Sequence, residues 1–126
     1  MDKIINIDGK DIKFRATART PRLYRMLVMR DLIKDMNTLT ESYERVSKSK
    51  KKNQDSIDNL SVDDLTIFEN VAYVMARHAN PDMTEQTPDE WLDTFEMFSV
   101  WTVMPQLLEL WHMNTYQTAE SKKNST

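Results

Sequence analysis

The chain has 126 residues, 40% of them hydrophobic, with one glycine, no cysteine, a formal net charge of -3 and a pI near 5.4. That length suits one domain with one core. The lack of cysteine excludes a disulfide framework, a thiolate metal site and a cysteine nucleophile, and it fits a reducing compartment. The lone glycine, Gly9, excludes glycine-rich phosphate loops, which need several residues without a Cβ for close backbone approach, and the mildly acidic balance offers no overall attraction to nucleic acid or anionic lipid.

Met1-Asp2-Lys3-Ile4 lacks the basic start and apolar run of a signal peptide, and no stretch of about 18 apolar residues is present to span a bilayer. A soluble, cytosolic chain is expected. Residues 3–16 alternate around Asp8-Gly9, a dipeptide suited to a two-residue type I′ turn because both positions accept positive φ. With that turn Ile5, Ile7, Ile12 and Phe14 share one face and Asn6, Asp11 and Lys13 the other, the pattern of a half-buried hairpin that needs a helix against it.

Thr20-Pro21 opens a predicted helix running to about Met36, with threonine as N-cap and proline at the first helical position. Its apolar residues form one stripe of Met26, Met29, Ile33 and Met36 and another of Leu23 and Leu27, with Tyr24 and Val28 further round. This is more apolar surface than packing on one face requires. From residue 37 to 59 the periodicity lapses, apart from a short helix around 41–46, and the lysine-rich run 47–54 reads as a solvated connection.

Ser61-Val62-Asp63-Asp64 resembles a capping start, and Leu65, Phe68, Ala72, Met75 and Ala79 follow at helical spacing until Asn80-Pro81. Thr87-Pro88-Asp89-Glu90 combines an N-cap, a proline and a glutamate placed to close a capping box, opening a helix with Trp91, Leu92, Phe95 and Phe98 on its apolar face. Ser99 caps a last predicted helix through Val100, Trp101, Met104, Leu107, Leu108 and Trp111, which Pro105 kinks or restarts. The expected fold is α+β, mainly α: an N-terminal β-hairpin packed on about four helices. One domain over 1–113, with a flexible lysine-rich linker near 47–59, is followed by a disordered tail over 114–126.

The carboxylates Asp63, Asp64, Asp89 and Glu90 fall in first helical turns, where they offset the helix dipole, and no catalytic dyad is implied. His78 and His112 lie near predicted helix ends with no second histidine or cysteine at ligand spacing, so no metal or cofactor is expected. Arg15, Arg19, Arg22, Arg25 and Arg30 crowd the strand-to-helix region. They suit either a phosphate backbone or local carboxylates such as Asp31, while a helix-turn-helix would want a glycine at its turn. Nine methionines suit either gap-filling in a core or an adaptable partner surface.

Several words in order then resemble a family: Gly9-Lys10 with Phe14 and Ala16-Thr17; Thr20-Pro21 with Tyr24-Arg25; Arg30-Asp31-Leu32; residues 68–76 with Phe68, Val71, Ala72 and Met75; Pro88 with Trp91-Leu92-Asp93 and Phe95; and Pro105-Gln106 with Leu108 and Leu110-Trp111. Over residues 3–113 the chain resembles the tail assembly chaperones of siphophages and prophages of Gram-positive bacteria, departing from their pattern at Met29 and in the lysine-rich linker. The resemblance implies a non-enzymatic late protein of the host bacterial cytoplasm. Such a protein binds the long, helical tape measure protein, keeps it from aggregating while tail-tube subunits polymerise, and is absent from the mature virion. It also implies a longer form, made by frameshift, that recruits the major tail protein; Lys122-Lys123-Asn124 is codable as an A-rich slippery stretch.

The candidate partner contacts are Met26, Met29, Ile33 and Met36, with Trp101 and Trp111 as aromatic anchors or core. Association into a homo-oligomer is left open. The alternative reading is a small phage or prophage nucleic-acid-binding regulator using the arginine cluster around residues 15–30.

Overall fold

The computed structural model describes residues 1–50 and 60–124, with side chains described through Lys48 and from Leu60 to Met113. Strands β1 (Asp2–Ile7) and β2 (Lys10–Arg15) pair antiparallel, with Ile5 opposite Ile12 and Lys3 opposite Phe14. Asp8 and Gly9 connect them at φ 55° and 78°, the doubly left-handed pair a type I′ turn requires. As expected, Ile5, Ile7 and Phe14 are buried while Asn6, Asp11 and Lys13 are exposed.

Among the described residues five helices follow: α1 (Thr20–Val28), α2 (Leu32–Lys50), α3 (Val62–Ala79), α4 (Pro88–Leu92) and α5 (Val100–Asn124). The fold class is the expected one, a hairpin on a mainly helical body. The organising element is α3, whose residues 71–76 are all buried. It packs on β2, α1, α2 and α4, so the circumference of its middle, residues 71–76, is enclosed, which a helix reaches only at the centre of the core. Its ends follow the sequence signals. The Ser61 hydroxyl accepts from the Asp64 N–H at 2.9 Å and the Asp64 carboxylate accepts from the Ser61 N–H at 3.3 Å, while the Asn80 side chain donates to the Ala76 carbonyl at 2.7 Å and to the Lys13 carbonyl of β2 at 3.0 Å.

Several local expectations are corrected. The helix read as continuous from Thr20 to Met36 is broken at Met29, which caps α1 at φ 60° and donates its N–H to the Arg25 carbonyl. Thr20 is not an N-cap: helix α1 is preceded by Arg19 without a side-chain cap, and the buried Thr20 hydroxyl turns back to accept the Thr17 N–H at 2.8 Å.

Beyond Asn37 the helix continues instead of lapsing. Asp31 caps α2 by accepting the N–H groups of Ile33 and Lys34, and Leu32, Met36, Leu39 and Val46 of α2 are buried in the core with Tyr43 packed against it. Of the expected linker near 47–59, residues 47–50 belong to α2 and 51–59 lie outside the described residues.

Helix α4 ends after five residues, so Phe95 and Phe98 reach the core from a loop. Glu90 does not close a capping box on Thr87; its carboxylate accepts the Gln86 N–H, while Thr87 caps Glu90 at 3.1 Å. The Ser99 hydroxyl accepts the Thr102 N–H at 3.3 Å, and α5 runs through Pro105 to Asn124. The expected tail over 114–126 falls where side chains, and for 125–126 the backbone as well, lie outside the described residues.

Trp91 of α4 is 3% exposed and gathers the aromatic core around it. Its ring lies 6.3 Å from Phe14, 6.1 Å from Tyr73, 5.1 Å from Phe95 and 5.5 Å from Phe98, mostly in the edge-to-face arrangements that suit the ring quadrupole. The hairpin is tied to the same region, since Lys10 donates to the Thr94 carbonyl at 2.8 Å and Asp8 accepts the Glu96 N–H at 3.0 Å.

Candidate partner-binding surface

Two kinds of surface residue cluster where α1 meets α2. The first is apolar: Met26 is 65% exposed, Met29 82% and Ile33 55%. The second is cationic, because the Arg22 and Arg25 side chains stand exposed on α1. Pro21, Arg22, Arg25, Met29, Leu32 and Ile33 line an open groove of about 630 Å³ along this junction. Large apolar side chains grouped in the open, beside charges, are the usual mark of a surface another macromolecule covers.

The junction is held by a polar lock in which Tyr24 and Asp35 are buried and Arg30 is half exposed. Arg30 grips the Asp35 carboxylate with both arms, Nε to Oδ2 at 2.8 Å and Nη2 to Oδ1 at 2.9 Å, and the Tyr24 hydroxyl donates to Oδ2 at 2.7 Å. Burial pushes the Asp35 carboxyl up, but the hydrogen bonds from Arg30 and Tyr24 and the guanidinium charge outweigh it and hold the group below its ordinary range. Burial, and then donation to Asp35, raise the Tyr24 phenol well above its ordinary value. Arg30 thus pairs with Asp35 and not with Asp31, whose carboxylate is taken up in capping α2. The lock sets the angle at which α1 presents Met26 and Met29.

Of the six sequence-derived candidates, Met29 and Ile33 line this groove together, and Met26 is exposed on α1 outside its lining. Met36 does not: it is 1% exposed in the core, because the break at Met29 turns α2 so that Met36 joins the Leu32 and Leu39 face. Trp101 and Trp111 are half-buried against the core on α5, far along the chain from the ridge, with Trp101 6.1 Å from the Tyr43 ring.

Arg15 is paired with Asp2 at 2.8 Å, so the cationic cluster read from the sequence is divided into paired Arg15 and Arg30 and exposed Arg19, Arg22 and Arg25. His78 shares a contact of 3.3 Å between Nδ1 and the Thr20 hydroxyl, and burial, then the charges of Arg15 and Arg19, lower its pKa. The imidazole is thereby biased toward its neutral form.

Other concavities carry less chemistry. A polar pocket of about 470 Å³ between α2 and α3 contains Asp35 and Asp64, both already engaged as described. A smaller depression of about 240 Å³ joins exposed Met97 to Ile7 and Val103. Among the described residues no group of three or more His, Cys, Asp or Glu is arranged to hold a metal ion, and no helix is long and apolar enough to cross a membrane. Comparison with protein-family models, with curated proteins and with solved structures finds no match to this chain.

The sequence did not single out Arg22 and Arg25 as partner contacts beside the methionines. The available signal was their spacing: residues 22, 25 and 29 recur at three- and four-residue steps and so adjoin along α1, whereas Ile33 is brought beside them by the turn into α2.

Proposed function

We propose that this chain is a non-enzymatic tail assembly chaperone of a long-tailed phage or prophage, acting in the host bacterial cytoplasm by covering apolar helical stripes of the tape measure protein until tail-tube subunits replace it. The observation that carries the reading is the exposed ridge of Met29 and Ile33 beside Arg22 and Arg25, with Met26 also exposed on α1, joined to the ordered set of residues that resemble that family. Methionine side chains are unbranched and polarizable, so they adapt to a partner whose apolar stripe varies along its length. Recruitment of the major tail protein is assigned to the longer, frameshifted form.

The test is co-expression with the tape measure protein encoded in the same genome, followed by solubility and pull-down measurements. A soluble complex that is lost without this chain supports the reading. An insoluble tape measure protein with both the short and the longer form present sinks it.

One observation favours a second reading, a nucleic-acid-binding regulator. Helices α1 and α2 are joined through Met29 in the left-handed conformation that a glycine supplies in helix-turn-helix turns, and Arg19, Arg22 and Arg25 are exposed on or next to α1. Against it, the exposed side of α2 includes Glu41 and Glu44, which repel phosphate. Steeply salt-dependent binding to duplex DNA would decide for it.

A further inference from the structure

Met29 is a poor residue for its own fold. It occupies a C-cap position at φ 60°, where a side chain with a Cβ is strained and glycine or asparagine is favoured. It is also 82% exposed, so burial returns almost nothing for that strain. A backbone position that is strained and unsupported by packing points to use of the side chain outside the molecule. The surroundings state what kind of partner meets it. Ile33, more than half exposed, lines the same groove, as do Arg22 and Arg25.

Of the other charged residues that line the groove, Arg30 is closed on Asp35, and Asp31 caps α2 through one carboxylate oxygen. The groove therefore presents an apolar knob flanked by two available guanidinium groups, whose planar forks bind carboxylates in bidentate fashion.

We propose that this groove is the docking site for an amphipathic helix that carries carboxylates beside its apolar stripe, with Met29 inserted between the partner's side chains and Arg22 and Arg25 paired to its Glu or Asp residues. The inference deepens the chaperone reading and rests on it for the partner's identity, but it specifies a chemistry that is testable by itself.

The test uses the full chain and two synthetic helical peptides with the same leucine stripe, one flanked by glutamates and the other by lysines, followed by anisotropy at low and raised salt. The wild-type chain is expected to bind the acidic peptide, more weakly as salt rises, and to bind the lysine peptide at least about tenfold less well. Met29→Gly relieves the backbone strain, so it is expected to keep or raise the melting temperature while weakening acidic-peptide binding about tenfold; Met29→Leu should retain binding. The double variant Arg22→Glu, Arg25→Glu should lose the acidic peptide and gain the lysine one, with an unchanged circular dichroism spectrum.

Equal affinity for the two peptides, unchanged binding by folded Met29→Gly, duplex DNA displacing the peptide, or a dimer of the chain that buries the ridge would each overturn the inference. The same variants in the co-expression assay separate the two claims. Tape measure protein held equally by wild type and variants leaves the chaperone reading standing without this groove. Acidic-peptide binding with the tape measure protein left insoluble removes that reading and keeps the groove.

Discussion

The Tyr24 phenol and the Asp35 carboxylate meet at 2.7 Å, each almost wholly buried, across the three residues that separate α1 from α2. Their bond fastens the end of one helix to the start of the next and leaves Met29 no freedom to straighten the pair. Replacing Tyr24 with Phe removes a donor to a charged acceptor but leaves Arg30 on the carboxylate, so a loss of ~2 kcal/mol is expected in urea unfolding. Asp35→Ala strands the buried Tyr24 hydroxyl while the half-exposed Arg30 guanidinium returns to water, at a loss of about 2 kcal/mol.

The pH dependence of that lock has a definite sign. The Asp35 carboxyl is held below its ordinary 3.8. Its contribution is therefore fully present above that value and is lost as pH falls through the lower, folded one. The stability gap between wild type and Asp35→Asn should be constant from pH 5 to 7 and narrow below about pH 4.

Glu69 behaves in the opposite way. Burial, then the negative charge of Asp89, push its carboxyl above the ordinary 4.5. Its contribution to folding is thus greatest below pH 4.5 and declines as pH rises through the raised value. Glu69→Gln should raise the melting temperature at pH 7, by less than about 1 kcal/mol in stability, and make no difference near pH 4. A melting temperature lowered at pH 7 would refute this account of Glu69.

Gly9 tests the hairpin turn without touching any packing. A Cβ added there meets nothing within 4 Å, yet φ is 78°, so Gly9→Ala should cost about 1 kcal/mol through backbone strain alone. Asp8→Asn accepts the same backbone conformation but gives up a carboxylate on the Glu96 N–H, and a smaller loss is expected.

Trp91→Ala removes the ring that Phe14, Tyr73, Phe95 and Phe98 surround, and a loss of about 4 kcal/mol with collapse of the near-ultraviolet dichroism is expected. Trp91→Phe should recover most of it. The aromatic cluster joins the hairpin, α3, α4 and the loop to α5, so the loss should appear in all of them at once.

Local signals were legible wherever chain chemistry alone decides geometry. Asp8-Gly9 can turn in few ways, and Ser61 with Asp64 caps α3 by a short-range reciprocal bond; both features stand as the sequence predicts. The break at Met29 was hidden because tertiary bonds, those of Arg30 and Tyr24 to Asp35, impose a left-handed conformation on a residue with no preference for it. Its trace was Asp31, an N-cap residue directly before Leu32.

The length of α2 was obscured by Asn37, Thr38, Thr40 and Ser42, which are weak helix formers. Leu32, Met36, Leu39, Tyr43 and Val46 nevertheless follow steps of four, three, four and three, a seam that settles the matter once polar neighbours are set aside. That seam also removes Met36 from the candidate surface. Phe95 and Phe98 matched a helical face by spacing alone; the short α4 places them by aromatic packing instead.

The enclosure of α3 bears on how such a protein lets go. A helper that gained its grip by opening its own core would have to refold each time it released cargo, and its turnover would be tied to its unfolding rate. Here the middle of the central helix, residues 71–76, has no free side to offer, and the ridge lies at the rim, anchored by Tyr24, Arg30 and Asp35. Attachment and departure then leave the interior as it was, and how long a partner stays is set by the rim contacts and by whatever competes for the partner's apolar stripe.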